Sequence, residues 1–176
     1  MSETSELSEA TEVIDVRERE VLSYEGFGVA TRQLAQSVVD SGYEPDWLVA
    51  IARGGLVVGG ALAYAMGHKN IVTVNVEFYT GIDERLDVPV ELPPDLNLDD
   101  IANRRVLIVD DVADTGETLK LVVEKCNRAC TEVRSAVLYE KPRSLVRADY
   151  VWKHTDQWID FPWSSLPVIG TGAESS

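Results

Sequence analysis

Short apolar runs alternate along the chain with segments at helical spacing, and this alternation restricts the possible fold more than any other feature. The runs "WLVAIA" (47–52) and "VLIV" (106–109) are apolar throughout, as expected of strands that are covered on both faces. We predict strands at 46–52, 70–79, 105–110, 132–142 and 148–153, and helices at 24–42, 56–67 and 116–130. Strands that alternate with helices indicate an α/β fold, with a mostly parallel twisted sheet flanked by helices.

Three segments lack the periodicity of a helix or a strand. Residues 1–20 form an acidic N-terminal arm that we expect to be disordered, and residues 170–176 form a similar tail. The arm has no apolar region of the kind that a signal peptide needs. Residues 80–104 contain three prolines and many acidic residues. A connection this long in a small domain is usually functional or disordered.

Composition and charge restrict the partners of this chain. Its 176 residues are enough for one domain with its own hydrophobic core. The net charge of −14 disfavours binding to nucleic acid or to an anionic membrane, because both need basic surfaces. The longest uncharged apolar stretch, 54–67, is too short to span a bilayer. We predict that the only cysteines, Cys126 and Cys130, are reduced thiols of a cytoplasmic protein.

Polar and small residues follow several predicted strands, at positions that a parallel sheet brings to one edge. The stretch "DDVADTGET" (110–118) follows the third strand, and "RGG" (53–55), Tyr79–Thr80 and "KP" (141–142) lie at the ends of others. Ligands of such sheets bind beyond the carboxyl ends of the strands. Adjacent carboxylates have no use in a core strand, and small residues where a helix begins suit a phosphate. We therefore predict a ligand site at this edge, with a phosphate at 115–118.

Three alternative motifs fit this stretch less well. A helix cap at Asp114 or Thr115 accounts for one acidic residue and not for three. A Walker phosphate loop elsewhere in the chain is also excluded: residues 54–59 have its glycine spacing, but Gly60 stands where its lysine belongs. A phospho-acceptor receiver domain has its acidic pair near the N-terminus, whereas here only residues 112–176 follow the pair.

The stretch "VLIVDDVADTGET" (106–118) resembles the signature with which type I phosphoribosyltransferases bind 5-phosphoribosyl-1-diphosphate (PRPP). The resemblance extends over roughly residues 45–163. Within it, "IARGGLVVGGALA" (51–63) is similar to the pyrophosphate loop and its helix. "YEKP" (139–142) and "DQWIDFPW" (156–163) are similar to the purine-binding parts of bacterial xanthine–guanine phosphoribosyltransferases.

This resemblance implies the type I phosphoribosyltransferase fold, with a PRPP-binding core at 21–153 and a small purine-binding hood at 154–169. The implied enzyme belongs to purine salvage. It transfers the phosphoribosyl group of PRPP to guanine, xanthine or hypoxanthine, which are 6-oxopurines, and releases pyrophosphate. A homodimer or homotetramer is implied as well.

The resemblance also implies roles for the PRPP side of the site. Arg53 and Gly54 would bind the pyrophosphate, and the peptide bond from Ala52 to Arg53 is expected to be cis. Asp110 and Asp111 would bind the ribose hydroxyls and Mg²⁺. The residues expected to bind PRPP are Arg53, Gly54, Asp110, Asp111, Asp114, Thr115, Gly116, Glu117 and Thr118.

On the purine side, the resemblance makes Asp114 the general base near N7 of the purine. Lys141 would donate to O6, Trp158 would stack on the ring, and Ile159 would offer backbone groups to the base edge. Asp160 would bind a second Mg²⁺ or the purine amine. Tyr79, Thr80 and the segment 81–98 would form a mobile loop that closes over PRPP.

One departure from the family pattern and two rival functions remain. Glu117 stands where the family commonly has glycine, so its carboxylate must point away from the phosphate. A phosphoribosyltransferase for another base is the first rival, although Lys141 and Trp158 favour a purine. The second is a nucleotide-sensing regulator on the same fold, which should lose the base at Asp114 or gain a basic face.

Overall fold

The computed structural model describes residues 19–81, 84–93 and 95–169, which form a six-stranded sheet with helices on both faces and a separate two-stranded sheet. The elements in chain order are β1 (Arg19–Val21), α1 (Tyr24–Asp40), β2 (Trp47–Ala52), α2 (Gly54–Met66), β3 (Ile71–Gly81), β4 (Glu84–Leu92), a short 3-10 helix (Leu98–Ile101), β5 (Arg105–Ala113), α3 (Glu117–Cys126), β6 (Glu132–Glu140), β7 (Tyr150–His154) and β8 (Trp158–Asp160). The large sheet has the order β4-β3-β2-β5-β6-β7, and only the pair β3 and β4 is antiparallel. The predicted α/β fold is confirmed.

Strand β2 and residues 106–109 of β5 are apolar throughout because helices cover both faces of the sheet. On one face, Leu48 and Leu107 belong to the core cluster formed with α1 and α2. On the other face, Val49 and Ile108 pack in the cluster that contains α3. All four side chains are fully buried, and each such burial stabilises the fold by about 1.5–3 kcal/mol. The uninterrupted apolar runs of the sequence therefore have a direct structural cause.

The helices end at residues with recognisable caps or turns. Ser23 Oγ accepts a hydrogen bond of 3.0 Å from the Gly26 amide at the start of α1. Helix α2 stops at Gly67, which has a left-handed backbone conformation with φ of 72°. Helix α3 ends at Cys126, four residues earlier than predicted, and the chain turns before Cys130. No described helix is long and apolar enough to cross a membrane.

Both cysteines are free thiols, as predicted. Cys126 is fully buried at the end of α3, and burial raises the pKa of its thiol to about 12. Cys130 is half-buried, and its Sγ lies 3.5 Å from the Ile101 carbonyl oxygen. No group of three or more potential metal ligands lies among the residues that the structure describes, so the two cysteines are not part of such a cluster there.

The segment 80–104, predicted to lack regular structure, contains β4 and the 3-10 helix. Strand β4 lies antiparallel to β3 at the edge of the sheet, with Asn75 opposite Leu92. Residues 86, 88, 90 and 92 are apolar and alternate with other residues, but Val90 is exposed and Pro89 is buried, so this alternation does not mark the covered face. Pro89 made a strand unexpected here, yet proline is tolerated in an edge strand. The predicted mobile loop falls partly on residues 82, 83 and 94, which lie outside the described residues.

The N-terminal boundary also differs from the prediction. Strand β1 begins at Arg19, so the last two residues of the predicted arm are part of a strand. It pairs in parallel with β8, with Glu20 opposite Ile159. The predicted hood therefore contains an N-terminal strand, which is too short to carry a period of its own. Residues 1–18 and the predicted tail, 170–176, lie outside the described residues.

Candidate active site

The predicted site residues come together at the carboxyl edge of the large sheet. Strands β2, β5 and β6 are neighbours and run in parallel, so their last residues share this edge. The Lys141 amide donates a hydrogen bond of 3.0 Å to the Ala113 carbonyl. The Leu145 amide donates one of 2.7 Å to the Thr115 carbonyl. The turns that follow β5 and β6 are therefore in direct contact.

The turn from β2 into α2 packs against the acidic pair that ends β5. The Ala52–Arg53 peptide bond is cis, as expected, and the Arg53 residue is exposed. A Cβ atom on Gly54 would lie 1.9 Å from Asp111 Oδ2, so no other residue fits at position 54 without a shift of the carboxylate. A Cβ on Gly55 would lie 2.4 Å from the Val109 carbonyl oxygen. These two glycines let the start of α2 approach the carboxylates closely.

Asp110 and Asp111 form a poorly solvated pair of carboxyl groups. Asp110 is buried, with 9% of its surface exposed, and the Asp111 amide donates a hydrogen bond of 2.9 Å to Asp110 Oδ1. Burial raises the pKa of Asp110 well above its usual value, and the neighbouring Asp111 carboxylate raises it further. Burial also raises the pKa of Asp111, an effect that the Trp163 side chain partly opposes. Such a pair is suited to bind hydroxyl groups and a cation, because both relieve the lost hydration.

The turn at 114–118 connects β5 with the start of α3. Gly116 has a φ of 80°, and a Cβ there would lie 2.4 Å from Ser144 Oγ. Gly116 is the N-cap of α3 and contributes no side-chain hydrogen bond to it, although the Glu117 amide donates a hydrogen bond of 3.4 Å to Thr115 Oγ1. Amide groups at such a helix start can bind an anion. Glu117 and Thr118 are half-exposed in this first turn, and Thr115 is exposed. A phosphate at 115–118 stays a prediction.

Asp114 is held by an arginine that the sequence did not single out. Arg143 Nε lies 2.8 Å from Asp114 Oδ1, and Nη2 lies 2.5 Å from both carboxylate oxygens. This bidentate pair fixes the orientation of the carboxylate. It also raises the pKa of the Arg143 guanidinium. Arg143 comes two residues after Lys141, so its only signal was its position in the same turn.

Lys141 and the hood form the other side of the site. The Lys141 residue is 8% exposed, and its Nζ donates a hydrogen bond to the Gln157 carbonyl, the residue before β8. Burial lowers the pKa of this ammonium group, while the Asp114 carboxylate opposes that change. Trp158 is 66% exposed and Ile159 is buried. The exposed Trp158 indole of the hood therefore lies next in sequence to Gln157, whose carbonyl binds the buried Lys141 ammonium group.

Asp160 does not join the acidic pair in a larger ligand cluster. Arg19 Nη1 lies 2.9 Å from Asp160 Oδ1 and 3.3 Å from Oδ2. Among the described residues there is no group of three or more side chains that could hold a metal. Asp160, which the resemblance assigns to a second Mg²⁺ or to the purine amine, instead pairs with Arg19 here, and its predicted role stays a prediction. Arg19 lies in the unpredicted strand β1.

A parallel sheet whose carboxyl edge carries paired carboxylates and a glycine-lined helix start defines a protein that binds a phosphorylated ligand. The chain belongs to the phosphoribosyl transferase domain family, which matches residues 19–167. The predicted family and enzyme class are thereby confirmed.

The similarity to known proteins extends over most of the chain. A xanthine-guanine phosphoribosyltransferase from Gluconobacter oxydans is 33% identical over 124 residues, which cover 69% of this chain and 70% of that protein. Another, from Idiomarina loihiensis, is 28% identical and covers 81% of this chain and 84% of its own length. The crystal structure of a purine phosphoribosyltransferase from Pyrococcus horikoshii superimposes with a TM-score of 0.74 at 36% identity, over 87% of this chain and 99% of that one.

Proposed function

We propose that this protein is a purine phosphoribosyltransferase, which transfers the phosphoribosyl group of PRPP to a 6-oxopurine and releases pyrophosphate. The names of its relatives support a purine as the acceptor. The observation that carries the proposal is the contact of Gly54 with Asp111. It brings a backbone suited to pyrophosphate against carboxylates suited to ribose, which are the two sides of the bond that breaks.

Arg53 and Gly54 bind the pyrophosphate in this proposal. The Arg53 guanidinium can pair with two phosphate oxygens at once, and Gly54 lets the backbone approach. At the other end of PRPP, residues 115–118 bind the 5′-phosphate through backbone amides at the start of α3. Asp110 and Asp111 bind the ribose hydroxyls between these two anchors. Their negative field also favours the positive charge that develops at C1 as pyrophosphate leaves.

The acidic pair fits Mg²⁺. Magnesium prefers oxygen ligands, and it usually takes one or two carboxylates together with phosphate oxygens and water. Asp110 and Asp111 supply two carboxylates whose pKa values are raised by burial, so a nearby divalent cation would stabilise their charged forms. Bound there, Mg²⁺ would neutralise charge on the leaving pyrophosphate. Asp160 is not needed in this arrangement, because its charge is already balanced by Arg19.

The purine site lies between the turn after β6 and the hood. Asp114 accepts the proton from N7, and Arg143 keeps its carboxylate oriented. Lys141 donates to O6, the exposed Trp158 stacks on the ring, and the Ile159 backbone faces the base edge. A buried ammonium group beside a free indole suits a flat ring with a carbonyl oxygen.

The test is a turnover assay with PRPP and Mg²⁺ against guanine, xanthine, hypoxanthine, adenine, uracil and orotate. We expect nucleotide formation with one or more of the three 6-oxopurines and none with the other bases. Turnover of uracil or orotate alone would assign the enzyme to another base. Binding of PRPP without turnover of any base would favour a nucleotide-sensing role. We also expect a homodimer or homotetramer, which analytical ultracentrifugation measures.

A further inference from the structure

Glu140 ends β6 with a carboxylate that is almost completely buried, with 1% of the residue exposed. Its Oε1 accepts a hydrogen bond of 2.8 Å from Arg147 Nη1, and its Oε2 accepts one of 2.8 Å from the Ala148 amide. His154 Nδ1 lies 3.6 Å from Oε1. Both hydrogen bonds reach across the segment 141–147, which we call the 141–147 loop. Glu140 therefore ties the beginning of this loop to its end.

The 141–147 loop contacts both halves of the candidate site. Arg143 binds the Asp114 carboxylate, and the Leu145 amide donates to the Thr115 carbonyl in the phosphate turn. Lys141 reaches the hood through its bond to the Gln157 carbonyl. Arg147 also contacts the loop itself, because its Nη2 donates a hydrogen bond of 3.3 Å to the Pro142 carbonyl. The loop that carries Lys141 is thus held by Glu140 and Arg147, which would not touch the purine.

In this ion pair only the Glu140 carboxylate is buried, and a buried charge of this kind is poor evidence for a role in stability alone. Removing a carboxylate from water is costly, and an apolar pair of similar volume often stabilises a protein as well or better. The buried Glu140 carboxylate does fix one geometry, because it depends on hydrogen bonds from Arg147 and from the Ala148 amide. The geometry that Glu140 and Arg147 fix is that of the loop between them.

We propose that Glu140 and Arg147 are positioning residues of the purine site, an inference that rests on the proposed function. Their ion pair holds the 141–147 loop in the conformation that directs Lys141 toward O6 of the purine and keeps Arg143 on Asp114. Neither residue touches the substrate. Their effect is larger for the purine than for PRPP, because Lys141 and Arg143 lie in the loop, whereas PRPP meets the loop only indirectly, through the phosphate turn that Leu145 contacts.

The test replaces Glu140 by glutamine and compares the Michaelis constants of both substrates. A glutamine has one carbonyl oxygen where two N–H donors need acceptors, so one of the two bonds is lost. We expect Glu140→Gln to raise KM for the purine about tenfold, the effect of one charge-assisted hydrogen bond. KM for PRPP should rise by a smaller factor, because the loop contacts only the phosphate turn of the PRPP site, through Leu145, and not Gly54 or Asp111. Arg147→Gln should give the same pattern, and the double variant should add little to either.

Glu132→Gln is the matched control. Glu132 begins the same strand, β6, and pairs with Arg134 through an Arg134 Nε to Oε1 distance of 2.8 Å, at the edge opposite the site. It should leave both Michaelis constants unchanged. A purine KM that stays at the wild-type value in folded Glu140→Gln or Arg147→Gln would overturn the proposal. So would an equal rise in KM for PRPP.

Amide hydrogen exchange separates this inference from the proposed function. The Leu145 amide should exchange faster in Glu140→Gln than in wild type or Glu132→Gln, because its bond to Thr115 depends on the loop. Unchanged exchange there refutes the positioning role, whatever the substrate. A wild-type protein that uses no purine refutes the proposed function, and the exchange result then still decides whether Glu140 holds the loop. If Glu140→Gln does not fold, the exposed Arg147 provides the same measurements through Arg147→Gln.

Discussion

Gly54→Ala should disable PRPP use with little change elsewhere in the protein. The added Cβ would lie 1.9 Å from Asp111 Oδ2 and 2.2 Å from its Cγ. Non-bonded atoms pack at about 3.5 Å, so either the carboxylate or the turn must move by about 1.5 Å. A misplacement of about 1 Å at a reacting centre costs about 10²-fold in rate. We therefore expect kcat/KM for PRPP to fall about 100-fold or more, equivalent to about 2.7 kcal/mol.

The assay varies PRPP at a saturating purine concentration and records thermal unfolding in parallel. Overpacking of this kind destabilises a protein by about 1–3 kcal/mol, so the variant should still fold. Gly60→Ala is the matched control, because it lies in the same helix and its Cβ would meet nothing within 4 Å. That control should keep full activity and gain about 0.5–1 kcal/mol in stability from the better helix former. Wild-type kcat/KM for PRPP in a folded Gly54→Ala protein would refute the close approach of the turn to Asp111.

Three further predictions concern single side chains of the site. Asp114→Asn should lower kcat by about 10²-fold or more with PRPP binding intact, the scale of a lost general base, and turnover equal to wild type would remove Asp114 from that role. Trp158→Ala should raise KM for the purine by a factor equivalent to a loss of about 1–2 kcal/mol in binding free energy, since the indole is exposed and free to stack. KM for PRPP should change little, and parallel changes in both constants would contradict stacking. Asp110→Asn should abolish activity but raise the melting temperature at neutral pH in the absence of ligands. Because the folded pKa of Asp110 is raised, its contribution to stability is greatest below the unfolded pKa of about 3.8 and declines as pH rises through the folded pKa. The gain in melting temperature should therefore be larger at pH 7 than at pH 4, and a gain that does not depend on pH would contradict this origin.

Much of the fold could be predicted from the sequence because one physical cause dominated it. Strand segments covered on both faces are apolar at every position, as in β2 and in residues 106–109 of β5, and this pattern can be recognised without knowing the partners. Strand β4 was missed because it contains a proline, Pro89, and its edge position, which makes the proline tolerable, is a property of the whole sheet. Strand β1 was missed because its three residues gain their order from pairing with β8.

Site residues could be predicted where a residue type is unsuited to its local structure. They could not be predicted where only a tertiary contact places the residue in the site. Asp110 and Asp111 stood out because a core strand has no use for adjacent carboxylates. Arg143 did not, because an arginine in a polar turn is ordinary until the fold brings it to Asp114. The pairing of Asp160 with Arg19 was not predicted for a similar reason, because Arg19 is 141 residues away in sequence.

The acidic pair also shows why the conflict in the sequence was informative. Folding does not remove the repulsion between Asp110 and Asp111, because burial and mutual charge both raise the pKa of Asp110. Within the described residues, the contacts of Asp110 include amide groups of Asp111 and Gly55 and no cationic side chain that would balance the charge. A natural protein that keeps such a destabilising arrangement at a ligand-binding edge gains by it in function and not in stability. Mg²⁺ and PRPP are the groups that would relieve it, so the ligand-free protein should be less stable than the loaded one. Thermal unfolding with and without both ligands measures this difference, and an Asp110→Asn protein should lose it.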